Sequence, residues 1–85
     1  MLLKDKKVVV VGGSSGIGLS TAELASHEGA DVIIASRNAE RLDAAAERLN
    51  AIAIPADVTS DESVAELFRR CGPVDHVVEI GRAHV

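Results

Sequence analysis

One stretch near the start of the chain decides the fold: Val8-Val9-Val10-Val11-Gly12-Gly13-Ser14-Ser15-Gly16-Ile17-Gly18. A continuous β-branched run is typical of a strand buried on both faces of a parallel sheet. The glycines after it predict a tight turn, and a helix is predicted over residues 17–27, with Gly29 as its C-terminal cap. A strand, a glycine-rich turn and a helix in succession predict the first half of a βαβ unit.

The next elements continue this alternation. Residues 31–36 predict a second strand. Asn38 can cap a helix whose apolar residues recur at helical spacing, namely Leu42, Ala45, Ala46 and Leu49. Residues 51–54 predict a short third strand, which Pro55 ends.

The last predicted helix and strand complete the order of elements. Thr59 and Glu62 have the spacing of a capping box, and one apolar stripe follows at Val64, Leu67, Phe68 and Cys71. Gly72-Pro73 ends this helix, and residues 74–78 predict a fourth strand. The order βαβαβαβ predicts an α/β fold with a Rossmann-type, doubly wound parallel sheet that is incomplete. We expect the first two helices to cover one face of the sheet and the third to begin the other.

Composition narrows the class of protein. The chain has 85 residues, of which 47% are hydrophobic and 26% charged, enough for one small globular domain. Its net charge of −4 argues against a general nucleic-acid binder. No apolar run approaches the roughly 20 residues of a membrane span, and the one cysteine, Cys71, cannot form an internal disulfide. These features predict a cytoplasmic protein with neither nucleic acid nor membrane as a partner.

The glycine spacing has a physical interpretation. Gly12 permits the tight turn out of the strand, Gly16 lets the backbone approach a pyrophosphate, and Gly18 allows the helix to pack closely on the strand. The anion would lie on the N–H groups at the positive end of the helix. A purely structural turn is the alternative, but the βαβ context favours a nucleotide site. A Walker loop is excluded because no Gly-Lys-Ser/Thr follows.

Three segments of the chain resemble those of a known protein family. Residues 11–18 are similar to the T-G-x-x-x-G-I-G segment of classical short-chain dehydrogenases/reductases, although Val11 stands where the family usually has Thr. Ala35-Ser36-Arg37-Asn38 and Ala56-Asp57-Val58-Thr59 match in register, and the resemblance runs from about Lys4 to Val78. It implies that residues 1–78 are the N-terminal part of a dinucleotide-binding domain, whose intact parent forms a homo-oligomer.

The resemblance also implies where the cofactor binds. Ser14, Ser15 and Ile17 are expected along the ribose and pyrophosphate. Asp57 is similar to the aspartate that accepts a hydrogen bond from the adenine amino group, with the Val58 backbone beside it. The alternative for Asp57 is a charge that favours a helix N-terminus.

The end of the second predicted strand indicates which dinucleotide is used. An acidic residue there, about 20 residues after the glycines, would bind the 2′-hydroxyl of NAD. The chain has Ser36, Arg37 and Asn38 instead, and a guanidinium suits a phosphate. We therefore predict NADP(H) in preference to NAD(H). The alternative is that Arg37 is a solvated loop residue.

Residues 79–85, Glu-Ile-Gly-Arg-Ala-His-Val, fit no element period and no family motif. They match a translated sequencing adapter, GAG ATC GGA AGA GCA CAC GTC, which a TGA stop follows. We predict that they are a non-native tail without function. The resemblance places the catalytic Ser and the Tyr-x-x-x-Lys pair beyond Val78, and the chain contains no Tyr. We therefore assign no catalytic residue and expect this fragment alone to be inactive.

Three functions remain open. The leading one is an NADP(H)-dependent oxidoreductase that reduces a carbonyl or oxidises an alcohol by hydride transfer. The second is a non-catalytic NADP-binding regulator. The third, a sugar-nucleotide epimerase or dehydratase, ranks last because Gly12, Gly16 and Gly18 do not have its G-x-x-G-x-x-G spacing. No metal site is predicted, because His76 has no Cys or carboxylate at ligand spacing, and His27 ends a helix, where a cation favours the dipole.

Overall fold

The computed structural model describes residues 2–12 and 16–79. The elements follow one another as β1 Lys7–Val11, α1 Gly16–His27, β2 Asp31–Ser36, α2 Ala39–Leu49, β3 Ile52–Pro55, α3 Asp61–Cys71 and β4 His76–Glu79. This order confirms the predicted alternation of strands and helices. None of the described helices is long and apolar enough to cross a membrane.

The four strands form one parallel sheet in the order β3-β2-β1-β4. The chain moves outward from β1 to β2 and β3, and α3 then returns it to the opposite side of β1. Val9 lies at the centre, with Ile33 and Val77 as its neighbours in β2 and β4. A sheet in which the chain reverses direction beside the first strand is doubly wound, so the predicted fold class is confirmed.

Each face of the sheet carries its own layer of helices. The first core cluster joins alternate strand residues such as Val8 and Ile34 to buried residues of α1 and α2, Ala22 and Leu42 among them. The second core cluster joins the other strand residues, including Val9 and Ile33, to Leu67 and Cys71 of α3. Because successive strand residues point to opposite faces, the continuous β-branched runs are buried on both sides. The predicted division of helices between the two faces is thus observed.

The helix ends confirm one predicted cap and correct another. Asn38 caps α2, since its Oδ1 accepts a hydrogen bond of 3.0 Å from the Arg41 N–H. The predicted capping box of Thr59 is wrong by one residue. Ser60 is the N-cap of α3, and its Oγ accepts from the Ser63 N–H at 3.2 Å. The hydroxyl of Thr59 is already engaged with the side chain of Asp57.

The fourth strand differs from its predicted span of residues 74–78. It begins at His76, directly after Asp75, whose N–H donates to the Lys7 carbonyl at 3.0 Å. The Asp75 carboxylate accepts from the Lys7 N–H at 2.8 Å, which ties the start of β4 to the start of β1. Glu79 pairs with Val11 as the last residue of β4, and residues 80–85 of the predicted non-native tail lie outside the described residues.

Candidate functional site

All four strands end at the same edge of the sheet because they are parallel. Val11, Ser36, Pro55 and Glu79 are their last residues. The helices that follow β1 and β3 pack on opposite faces. A small cavity lies at the carboxyl ends of β1 and β4, with Val11, Val58 and Glu79 in its lining, at the position where doubly wound sheets bind ligands. The predicted site residues described by the structure follow β1, β2 and β3 at this edge.

The turn after β1 has the backbone geometry that its glycines predict. Gly12 has a φ of 88° and donates its N–H to the Ala35 carbonyl at 2.7 Å, which extends the pairing of β1 with β2. Gly16 begins α1 with a φ of 59°. A Cβ at Gly16 would meet no described heavy atom within 4 Å, so the space outside this residue is open. Gly13, Ser14 and Ser15 lie outside the described residues.

The N-terminus of α1 differs in charge from those of the other two described helices. The first turn of α2 contains Glu40, and that of α3 contains Asp61 and Glu62. The first turn of α1 contains no acidic residue. Acidic side chains normally offset the positive end of a helix dipole, so α1 leaves this charge to be balanced by an anion from outside.

Two further predicted residues lie in this first turn. Ile17 is 74% exposed. Gly18 is buried, as its predicted role in close packing requires. The turn therefore presents one apolar side chain beside a positively polarised helix end. That combination suits a ligand with both an anionic and an apolar part.

The end of β2 supplies a cation without a neighbouring acid in the loop. The Ser36 Oγ accepts from the Asn38 N–H at 3.3 Å, which tightens the turn into α2. The carbonyl oxygen of the Asn38 side chain is used for the helix cap, so its amide nitrogen is the group left to donate. Arg37, between them, is exposed. This loop can therefore offer hydrogen-bond donors and one positive charge to a ligand.

The carboxylate of Asp57 is held in one orientation by its neighbour. Its Oδ1 accepts both from the Thr59 N–H at 2.9 Å and from the Thr59 Oγ1 at 2.6 Å. The Asp57 N–H donates to the Ser63 Oγ at 2.8 Å. The hydrogen bonds from the side chain and backbone of Thr59 lower the pKa of Asp57 below its usual value, and the charge of Arg37 adds to this effect. Asp57 is therefore an ionised acceptor.

The ends of β2 and β3 approach each other at this point. The Ala56 N–H donates to the Ser36 carbonyl at 3.0 Å, one residue beyond the paired strands. The charge of Arg37 acts on Asp57 across this junction. Asp57 is not a cap of α3, because that position belongs to Ser60. The alternative for Asp57, a charge that favours a helix N-terminus, stays open, because Asp57 contacts Ser63 in the first turn of α3.

The remaining predicted residues have structural positions. Val58 is half-buried and packs against the second core cluster, which leaves its backbone rather than its side chain for a ligand. His27 ends α1 and His76 begins β4. Cys71 is buried, and burial raises the pKa of its thiol. Within residues 2–12 and 16–79, no group of three His, Cys, Asp or Glu side chains could hold a metal ion.

Comparison with known proteins identifies the family. The model of the short chain dehydrogenase family matches residues 6–80. The chain belongs to this family. An uncharacterized oxidoreductase of Staphylococcus aureus (strain USA300) is 44% identical over 71 residues, which are 80% of this chain and 31% of that protein. An uncharacterized oxidoreductase of Bacillus subtilis (strain 168) is 45% identical over 67 residues, covering 73% of this chain and 19% of that protein.

Solved structures of short-chain dehydrogenases have the same fold. A short chain dehydrogenase/reductase family protein superposes with a TM-score of 0.91 and 40% identity, over 95% of this chain and 35% of its own. A short chain dehydrogenase from Mycobacterium smegmatis has a TM-score of 0.88 and 36% identity, over 92% of this chain and 36% of its own. The chain thus spans about a third or less of its relatives. Membership in this oxidoreductase family implies a nicotinamide dinucleotide cofactor.

Within this short-chain dehydrogenase segment, the sequence reasoning missed two residues at the site. Thr59 was expected to cap a helix, and Ser63 was given no role, yet both bond to Asp57. A signal for Thr59 was present, because an aspartate often accepts from the backbone two residues on. No signal for Ser63 exists in the sequence, since its contact depends on how the loop folds back onto the first turn of α3.

Proposed function

We propose that the intact protein is an NADP(H)-dependent oxidoreductase that interconverts a carbonyl and an alcohol by hydride transfer. The segment described here would form the half of the domain that binds the adenosine and phosphate groups of the cofactor. When bound, the cofactor supplies or accepts the hydride. The residues of this chain bind and orient the cofactor, and we assign none of them to the hydride-transfer step.

One observation carries this proposal: three loops with complementary chemistry meet at the carboxyl edge of the sheet. The N-terminus of α1, without acids in its first turn, suits a pyrophosphate. The loop with Arg37 suits a further phosphate, and the ionised Asp57 suits a hydrogen-bond donor on a base. Ile17 adds an exposed apolar side chain, and the glycines at 12 and 16 leave backbone without a Cβ after β1.

The preference for NADP(H) is supported by the loop after β2. Its three residues, Ser36, Arg37 and Asn38, include no carboxylate that would repel a 2′-phosphate. Asp57 is an acid whose charge interacts with that of Arg37, and its Oδ1 is directed to Thr59 by two hydrogen bonds. The guanidinium can therefore approach a phosphate with two parallel N–H groups, a geometry that suits tetrahedral oxyanions.

Calorimetric titration of the full-length protein with NADP⁺ and NAD⁺ tests the proposal. We expect binding of both dinucleotides and tighter binding of NADP⁺. A protein that binds neither dinucleotide would contradict the proposed function. Binding of NADP⁺ without alcohol oxidation across a panel of alcohols, in a parent that lacks a downstream Tyr-x-x-x-Lys, would favour the regulator instead. Interconversion of a sugar nucleotide without net change in the cofactor would favour the epimerase.

A further inference from the structure

The hydrogen bonds around Asp57 converge on one neighbouring side chain. We propose that Thr59 is a positioning residue, which fixes the Asp57 carboxylate so that the nucleotide site selects a purine with an amino group at position 6. This inference rests on the proposed function, because it concerns the adenine end of the same cofactor site. It assigns a binding role to a residue that the sequence placed at a helix cap.

The first step is the arrangement of the two carboxylate oxygens. Oδ1 of Asp57 accepts from both the N–H and the hydroxyl of Thr59, at 2.9 and 2.6 Å. Two donors on one oxygen fix the rotation of the carboxylate about both of its side-chain bonds. Within the described residues, no donor is bonded to Oδ2. The same interaction that immobilises the carboxylate therefore leaves one defined oxygen for a ligand.

The second step is the support beneath the loop. The Ser63 Oγ accepts from the Asp57 N–H, and the Ser60 N–H donates to the Asp57 carbonyl at 3.0 Å. Ser60 also caps α3 through the Ser63 N–H. The backbone of Asp57 is thus anchored to the first turn of α3 without help from the Thr59 side chain. Because Thr59 is exposed, its hydroxyl serves the carboxylate and not the packing of the core.

The third step is the chemistry of recognition. A carboxylate that is ionised can only accept hydrogen bonds. The lowered pKa of Asp57 keeps it in this state, and the Thr59 hydroxyl is the largest cause of that shift. An amino group on the purine donates to Oδ2, whereas a keto oxygen at the same place would face a second acceptor. The site should therefore bind NADP⁺ more tightly than its hypoxanthine analogue, which has a keto oxygen in place of the amino group.

The test compares these two dinucleotides in full-length variants. Thr59→Val keeps the branched shape and removes the hydroxyl, and Thr59→Ser keeps the hydroxyl. We expect Thr59→Val to weaken NADP⁺ binding about 3- to 10-fold, the scale of one hydrogen bond. The same variant should bind the hypoxanthine analogue as the wild type does, while Thr59→Ser should retain the wild-type preference. If Thr59→Val does not fold, Thr59→Ala replaces it in every comparison.

A second measurement separates positioning from a general effect on the loop. In a double-mutant cycle with Asp57→Asn, the Thr59 substitution should have little further effect on NADP⁺ affinity, because both changes remove one interaction. Equal weakening for both dinucleotides, or additive effects in the cycle, would overturn the role of Thr59. A wild-type protein that binds neither dinucleotide would instead overturn the proposed function. A wild type that binds NADP⁺ without preferring it over the hypoxanthine analogue would refute the inference and leave the proposed function intact.

Discussion

Replacement of Arg37 by alanine in the full-length protein tests the choice of cofactor most directly. Arg37 is exposed at the end of β2, between the turn made by Ser36 and the cap made by Asn38. Neither hydrogen bond of this turn uses the Arg37 side chain, so we expect the substitution to leave the local backbone unchanged. The loss should therefore fall on ligand binding and not on folding.

The size of the loss follows from the charges. Two unit charges 4 Å apart interact by about 1 kcal/mol in a water-like environment, which the exposure of Arg37 favours. A phosphate monoester carries about −1.5 to −2 charges near neutral pH, and this raises the interaction to about 1.5–2 kcal/mol. Charge-assisted hydrogen bonding widens the expected range to roughly 1–3 kcal/mol, or about 5- to 150-fold in affinity for NADP⁺.

Calorimetry with NADP⁺ and NAD⁺ provides the assay, and the chain supplies a matched control. Arg48 lies at the other end of α2, where it forms an ion pair with Glu23. Arg48→Ala removes the same charge and should leave both affinities unchanged. Arg37→Lys should fall between wild type and Arg37→Ala, because an ammonium keeps the charge but loses the two-pronged geometry. An equal loss for both cofactors in Arg37→Ala, or a wild type that prefers NAD⁺, would refute the reasoning.

Four other outcomes follow from the same structure. Ser36→Asp places an acid at the end of β2 and should shift preference toward NAD⁺ in paired titrations, which an unchanged ratio would contradict. The preference for NADP⁺ over its hypoxanthine analogue should persist from pH 7 down to about 4.5, because Asp57 stays ionised there, and be lost only as pH falls through the lowered pKa of Asp57. Loss of the preference already near pH 6 would contradict this expectation. The 85-residue chain alone should lack oxidoreductase activity, and it should self-associate because Leu24 and Val77, 65% and 51% exposed, line an apolar groove beside the edge strand β4 and leave it open to other copies. A monomer in size-exclusion chromatography with a sharp thermal melt would contradict the self-association. Amplification of the source locus without adapters should give an open frame that continues past codon 78 with a sequence different from residues 79–85. A genomic sequence that encodes those seven residues and a stop would contradict the prediction that they are non-native.

The sequence was sufficient for the elements whose patterns depend on local chemistry. The second strand was predicted over residues 31–36 and is observed as Asp31–Ser36, because an apolar run is bounded by two polar residues. The Asn38 cap follows from a side chain that can accept from a helix N–H two or three residues on. The two-layer arrangement follows from the order of elements and the handedness of their crossovers.

The sequence was insufficient where two neighbouring groups compete for the same position. Thr59 and Ser60 are adjacent, and either hydroxyl can cap a helix. The structure assigns the cap to Ser60 because the hydroxyl of Thr59 is bonded to Asp57. Likewise, the start of β4 depends on the contact between Asp75 and Lys7, which are 68 residues apart. Contacts of this kind arise only after the sheet has formed.

The three described helices differ in the residues at their N-termini, and this difference separates the helix start suited to a ligand from those that stabilise the fold. Helices α2 and α3 begin with side-chain caps and acidic first turns, features that stabilise a helix by themselves. Helix α1 has no acidic residue in its first turn, where the positive φ of Gly16 favours glycine and Gly18 is buried. A dinucleotide at 100 times its dissociation constant would stabilise the folded state by about 2.7 kcal/mol. The helix end whose first turn has no acid is therefore the one whose dipole a bound phosphate would balance. The stable starts of α2 and α3 hold in place the loops that carry Arg37 and Asp57.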